Sequence, residues 1–99
     1  MYRGTTPTHT FKTDIDLSDA AVIWLTYKAN GRIIIDKEKN DLLVTEEDIS
    51  LKLTQEETLA LVKGQNVSCQ IRARFEDGTA VASNIMTVVV NGILKDGVI

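Results

Sequence analysis

The segment 66–75 reads NVSCQIRARF and is followed by EDGT. Its apolar residues occupy every second position and alternate with Ser, Gln and Arg. A period of two over ten residues is typical of a strand with one buried face and one solvated face. Asp77-Gly78 predicts a tight turn into a second β-forming run, Val81–Val90. The segment therefore predicts an antiparallel β domain.

The apolar alternation changes phase within Val81–Val90. A three-residue turn before this run places Val81 beside Ala73 and Ile85 beside Cys69. Further along, three alternate residues form the apolar set: Met86, Val88 and Val90. A bulge near Ser83-Asn84 accounts for the change of phase, because one extra residue moves the following side chains to the other face.

A second hairpin is predicted around Asn30-Gly31, between two runs rich in β-branched and aromatic residues. A two-residue turn would pair Leu25 with Asp36 and place a carboxylate among apolar side chains. A three-residue loop, Ala29 to Gly31 with Gly31 at positive φ, keeps the apolar residues on one face, and we favour it. The pairs in that register are Leu25–Ile35 and Tyr27–Ile33.

A short helical crossover is predicted at about Thr54–Val62, where the β pattern stops. Thr54 suits an N-cap, Glu57 completes a capping box, and Lys63-Gly64 ends the helix. Leu59, Leu61 and Val62 would be its apolar contacts. Further strands are predicted over three segments: Thr8–Ile15, Leu42–Thr45 and Ile49–Leu53.

The fold class that follows is an all-β, immunoglobulin-like antiparallel β-sandwich with one helical crossover. Three parts are expected along the 99-residue chain: an N-terminal arm (residues 1–7), the sandwich domain (8–94) and a C-terminal tail (95–99). The apolar fraction of 43% is that of a folded domain.

Composition argues against several classes of function. The net charge of −3 and the scattered Lys and Arg residues do not favour nucleic acid or an anionic membrane as partner. One cysteine cannot form an internal disulfide. Met1–Thr10 lacks an apolar signal-peptide core, so the chain is expected in the cytoplasm when synthesised.

The residues that carry chemistry are few. His9, the only histidine, lies near one end, and Cys69 occupies an apolar strand face where burial would keep the thiol protonated. The acidic residues at 46–48 and 56–57 suit a solvated turn and a helix N-terminus. We therefore predict no enzyme activity, no catalytic residues, no metal site and no cofactor.

Protein contact is the remaining hypothesis, with Trp24, Ile34, Arg72 and Arg74 as candidate interface residues. In the favoured hairpin register Trp24 and Ile34 share the outward face. Arg72 and Arg74 lie two apart on one face of their strand. Trp24 and Ile34 are either buried by a bulge or a covering loop, or they form an exposed apolar patch that marks a protein contact. Arg72 and Arg74 form either a solvated sheet face or an interface stripe that pairs with acidic residues of a partner.

Three segments resemble short proteins encoded in prophage regions of Firmicutes: Arg3–Phe11, Leu53–Gly64 and Gln70–Ile85. The second half of the chain is also similar to the N-terminal domain of siphophage baseplate upper proteins. The resemblance implies an immunoglobulin-like domain of a virion or prophage structure. A fibronectin-III domain would carry an aromatic residue where this chain has Val67, so the sandwich subtype stays open.

The function expected from this resemblance is a non-enzymatic phage structural or adaptor module in a tail-like or baseplate-like assembly. Its partners would be other phage structural proteins or further copies of itself, and virion association is a further expectation. The alternative is a carbohydrate- or surface-binding β-sandwich, which needs an exposed aromatic platform. The chain has five aromatic residues for that purpose: Tyr2, Phe11, Trp24, Tyr27 and Phe75.

Overall fold

A computed structural model describes all 99 residues, Met1–Ile99, as eight strands and one short α-helix. The elements are β1 (Thr8–Lys12), β2 (Val22–Ala29), β3 (Arg32–Glu38), β4 (Leu43–Val44), β5 (Asp48–Lys52), α1 (Gln55–Leu59), β6 (Asn66–Arg74), β7 (Ala80–Ala82) and β8 (Met86–Val89). A single 3-10 turn, Lys39–Asp41, joins β3 to β4. All strand pairs are antiparallel. The prediction of an all-β domain is confirmed.

The strands form two sheets. One has the order β1-β5-β4, and the other has the order β3-β2-β6-β7, with β8 also paired to β6. Residues from both sheets meet in one apolar cluster of sixteen buried side chains. Strand β6 shows the predicted alternation, and its buried members are Val67, Cys69, Ile71 and Ala73. The core therefore lies between the sheets, and each sheet has one inward and one outward face.

The β2–β3 hairpin differs from the predicted register. Asn30 and Gly31 form a two-residue turn with φ of +52° and +73°, the left-handed values of a type I′ turn. A bulge between Tyr27 and Lys28 then places Tyr27 opposite Ile35. The predicted pairs Leu25–Ile35 and Tyr27–Ile33 are both wrong, because Leu25 pairs with Lys37 and Ile33 is 62% exposed. The tight turn fits the twist of the strands, and the bulge returns Ile35 to the buried face.

The last predicted strand is interrupted where the bulge was expected. Strands β7 and β8 both pair with β6, and the residues between them lie outside the ladder. Ala73 pairs with Val81 as predicted, whereas Cys69 pairs with Met86 and Ile85 is exposed. The extra residue in the interruption shifts the register by one position.

The helix begins as predicted, and its capping box is confirmed. The Glu57 N–H donates to Thr54 Oγ1 at 3.1 Å, and the Thr54 N–H donates to Glu57 Oε1 at 2.9 Å. The helix is shorter than expected, because it ends at Leu59, and Val62 is 61% exposed. Helix α1 connects β5 of one sheet to β6 of the other, as the crossover prediction requires.

Both chain ends contact the domain. The Arg3 N–H donates to the Asn91 carbonyl at 3.0 Å, next to a parallel bridge between Tyr2 and Asn91. The Thr58 hydroxyl donates to the Thr5 carbonyl at 2.8 Å. These bonds fasten the N-terminal segment beside α1 and the end of β8. The first strand ends at Lys12, three residues earlier than predicted, and Ile15 is exposed.

Candidate interaction surface

The outward side of the β3-β2-β6 sheet carries three of the four candidate interface residues. Register places Trp24 of β2 directly between Glu38 of β3 and Arg72 of β6. Trp24 is 40% exposed although it lies on a central strand. We call this surface the outer face, and its residues are Val22, Trp24, Thr26, Lys28, Asp36, Glu38, Gln70, Arg72 and Arg74.

Charge is divided across the outer face by strand. The acidic side chains, Asp36 and Glu38, lie on β3, two basic ones, Arg72 and Arg74, lie on β6, and a third, Lys28, lies at the hairpin end of β2. None of these side chains takes part in a salt bridge, since the two salt bridges of the chain join Arg3 to Asp96 and Lys37 to Glu57. Asp36 only accepts a hydrogen bond from Thr26 Oγ1 at 2.7 Å. An acidic and a basic column thus flank Trp24 without neutralising each other.

Ile34 lies apart from the other three candidates. It is four residues along β3 from Glu38, the residue opposite Trp24. At 3.3 Å per residue this is a separation of about 13 Å along the strand. Ile34 is half-buried and packs against the core cluster. It is the extra residue of the hairpin bulge and has no partner on β2, so it does not follow the alternation that places Trp24 on the outer face.

A cleft opens between the two sheets where their edge strands β1 and β7 face each other. Its volume is about 500 Å³. The apolar lining includes Phe11, Ile15, Leu17, Ile71, Val81 and Met86. Thr13 Oγ1 is buried there without a hydrogen-bond partner. Local sequence patterns do not predict this cleft, because its walls come from segments about 60 residues apart in the chain.

Both strands that border the cleft have a free edge. The Thr13 N–H donates to the Glu47 carbonyl, and the Leu53 N–H donates to the Pro7 carbonyl. Odd-numbered residues of β1 therefore bond to β5, and the backbone groups of Thr8, Thr10 and Lys12 point away from it. Strand β7 pairs only with β6. Unpaired backbone groups of this kind can accept an additional strand.

The titratable side chains that could take part in a reaction lie in or against the core. His9 Nδ1 and the Tyr27 hydroxyl are 2.6 Å apart and share a hydrogen bond, and the two rings stack at 5.7 Å. Burial lowers the pKa of His9 and raises the pKa of Tyr27. Burial also raises the pKa of the Cys69 thiol, which stays protonated and unreactive at neutral pH. Tyr27 and Cys69 are fully enclosed and His9 is partly buried against Tyr27.

No group of three His, Cys, Asp or Glu side chains is arranged to hold a metal ion. No helix has the length and apolar character needed to cross a bilayer. Neither a family model, nor a curated protein, nor a solved structure matches this chain. The interpretation of the surface therefore depends on its own geometry.

Proposed function

We propose that this chain is a non-catalytic structural or adaptor module of a phage or prophage, which acts through protein–protein contacts in a tail-like or baseplate-like assembly. The observation that carries the proposal is the outer face, where the half-exposed Trp24 lies between unpaired columns of opposite charge. Large aromatic residues flanked by charges are typical anchors of protein interfaces. The assignment to a phage follows from the sequence resemblance.

We also propose that the sandwich is immunoglobulin-like, and strand order supports this. The orders β1-β5-β4 and β3-β2-β6-β7 correspond to strands B-E-D and C′-C-F-G of such domains. In antibody domains a buried Trp on strand C packs against a disulfide between strands B and F. Here Tyr27 of β2 contacts His9 of β1 and pairs with Cys69 of β6, so three equivalent strands supply the central contact without a disulfide.

The free edges of β1 and β7 offer a second means of contact. A partner segment in extended conformation could bond to the outward backbone groups of β1 and place apolar side chains in the cleft. Strand addition of this kind requires no catalytic group. It is consistent with a module that joins larger components.

The test is the protein content of particles produced by the bacterium that carries the gene. After prophage induction and gradient purification, mass spectrometry should detect the chain in the particle fraction. Trp24→Ala should reduce its incorporation, whereas Lys52→Glu, an exposed change on the other sheet, should not. Particles that assemble fully without the chain would contradict the proposal.

The carbohydrate-binding alternative predicts a different result. Trp24 is the one exposed aromatic residue on the outer face, and the other exposed aromatic residue, Tyr2, lies at the N-terminus. A glycan array with reproducible binding that Trp24→Ala abolishes would favour that alternative. An array without binding would remove it.

A further inference from the structure

We infer that the outer face pairs with the same face of a second copy of the chain, around a two-fold axis parallel to the strands. The inference rests on the proposed function, because it names the partner of the same surface. It comes from the arrangement of charge across the face, which is complementary to itself in one orientation.

The row Glu38–Trp24–Arg72 crosses three neighbouring strands. Strands lie about 4.8 Å apart, so Glu38 and Arg72 are separated by roughly 10 Å with Trp24 between them, and they form no salt bridge within one copy. A two-fold axis parallel to the strands reverses the order of the strands and keeps each position along them. Trp24 then lies over Trp24 of the second copy, and each Glu38 lies over an Arg72. Lys28, about 13 Å further along β2, lies over its own counterpart at the margin of the contact.

The same charges disfavour the second two-fold arrangement in which the two outer faces could meet. A two-fold axis in the sheet plane but perpendicular to the strands would place Glu38 over Glu38 and Arg72 over Arg72. Like charges placed opposite each other in an interface disfavour the complex. A partner with a single sign of charge would match only one of the two columns. The outer face is therefore suited to an isologous contact, in which one patch serves on both sides.

The size of the face sets the expected affinity. Three strands about 4.8 Å apart and seven residues of about 3.4 Å each cover a projected area on the order of 300–400 Å² per copy. Stable interfaces of standard size bury about 800 Å² per partner. The pair should therefore be weak and reversible, with a dissociation constant in the micromolar range or above. Assembly into a larger structure would supply the local concentration that favours it.

The experiment combines sedimentation velocity with the fluorescence of Trp24, the only tryptophan. From about 1 µM to about 1 mM protein, the wild type should shift from monomer to dimer, and Trp24 emission should shift to shorter wavelength. Arg72→Glu alone and Glu38→Arg alone should each weaken the dimer by about tenfold or more. The double variant Glu38→Arg/Arg72→Glu should restore it, because each new Arg faces a new Glu.

Lys52→Glu is the matched control, since it changes an exposed charge on the other sheet and should leave the dimer unchanged. A chain that stays monomeric throughout, or a dimer that neither single variant weakens, would overturn the inference. Failure to rescue in the folded double variant would overturn the proposed axis. These outcomes differ from those of the particle experiment, because a monomeric chain whose incorporation still depends on Trp24 would keep the proposed function and remove only the self-pairing.

Discussion

His9 shows how a partly buried residue near one end can contact the core. Its ring stacks on Tyr27, shares a hydrogen bond with the Tyr27 hydroxyl and makes an edge contact with Phe11. Burial makes the imidazolium form unfavourable and lowers the pKa of His9 below its ordinary value of 6.5. The neutral ring is therefore part of the folded state, and protonation favours the unfolded chain.

The free energy of unfolding should accordingly decrease in acid as the His9 imidazole takes up a proton. Above pH 6.5 His9 is neutral in both states, and its contribution is fully present. As the pH falls from 6.5 toward the lowered folded pKa, the unfolded chain binds the proton first, so the free energy of unfolding falls. Urea unfolding at pH 7.0, 6.5, 6.0 and 5.5 should give a decreasing midpoint.

His9→Gln is the control for this pH dependence. Because the chain has no other histidine, the variant should lose most of the slope between pH 6.5 and 5.5, whatever its absolute stability. An unchanged slope in this variant would assign the effect to carboxylates and contradict the role given to His9.

At the scale of the element, α1 has only five residues, and contacts of its first turn stabilise it. Glu57 completes the capping box and also binds Lys37 Nζ of β3 at 2.8 Å. Burial alone would raise the pKa of Glu57, but the contacts with Lys37 and Thr54 lower it below its usual value. One carboxylate therefore caps the helix and attaches it to the opposite sheet.

The β2–β3 hairpin depends on the left-handed conformation of its turn. Gly31 has φ of +73°, and a methyl group added there would meet no atom within 4 Å. Gly31→Ala should therefore destabilise the domain only through backbone strain, by about 1–2 kcal/mol. Urea unfolding measures the loss. Asn30→Gly, at the other left-handed position, should cost less than about 0.5 kcal/mol in the free energy of unfolding. An equal loss in both variants would show that backbone strain at Gly31 is not the cause.

The sequence predicted well those elements whose structure is set by residues close together in the chain. The Thr54 capping box lies within four residues, and the β6 alternation needs only the period of a strand. The hairpin register was missed because the turn and the apolar pattern demanded different registers, and a bulge satisfied both. Sequence alone gives no cost for that bulge, so the simpler three-residue loop looked better.

At the scale of the whole molecule, the candidate site was only partly predictable. Arg72 and Arg74 on one strand face followed from period two. The position of Arg72 beside Trp24 did not, because it requires β2 and β6 to pair across more than 40 residues of chain. The cleft between β1 and β7 was not predicted at all, since it depends on the placement of one sheet over the other.

Arg3 connects the parts of the molecule that strand pairing leaves unconnected. Its Nε donates to the Leu61 carbonyl at 2.7 Å, and its Nη2 donates to the Leu59 carbonyl at 2.9 Å. Its Nη1 forms a salt bridge with Asp96 in the tail. One guanidinium thus joins the N-terminal segment, the end of α1 and the C-terminal segment. The planar fork matches this task better than a lysine ammonium would.

Removal of this side chain should weaken the whole domain. The Arg3 side chain is only 18% exposed, so Arg3→Ala leaves two partly buried carbonyls without donors and should cost about 2 kcal/mol in the free energy of unfolding. Asp96→Asn breaks the salt bridge alone, and because Asp96 is 69% exposed it should cost less than about 0.5 kcal/mol. Urea unfolding compares the two variants. A loss in Asp96→Asn as large as that in Arg3→Ala would mean that the salt bridge, and not the carbonyl contacts, holds the chain ends in place.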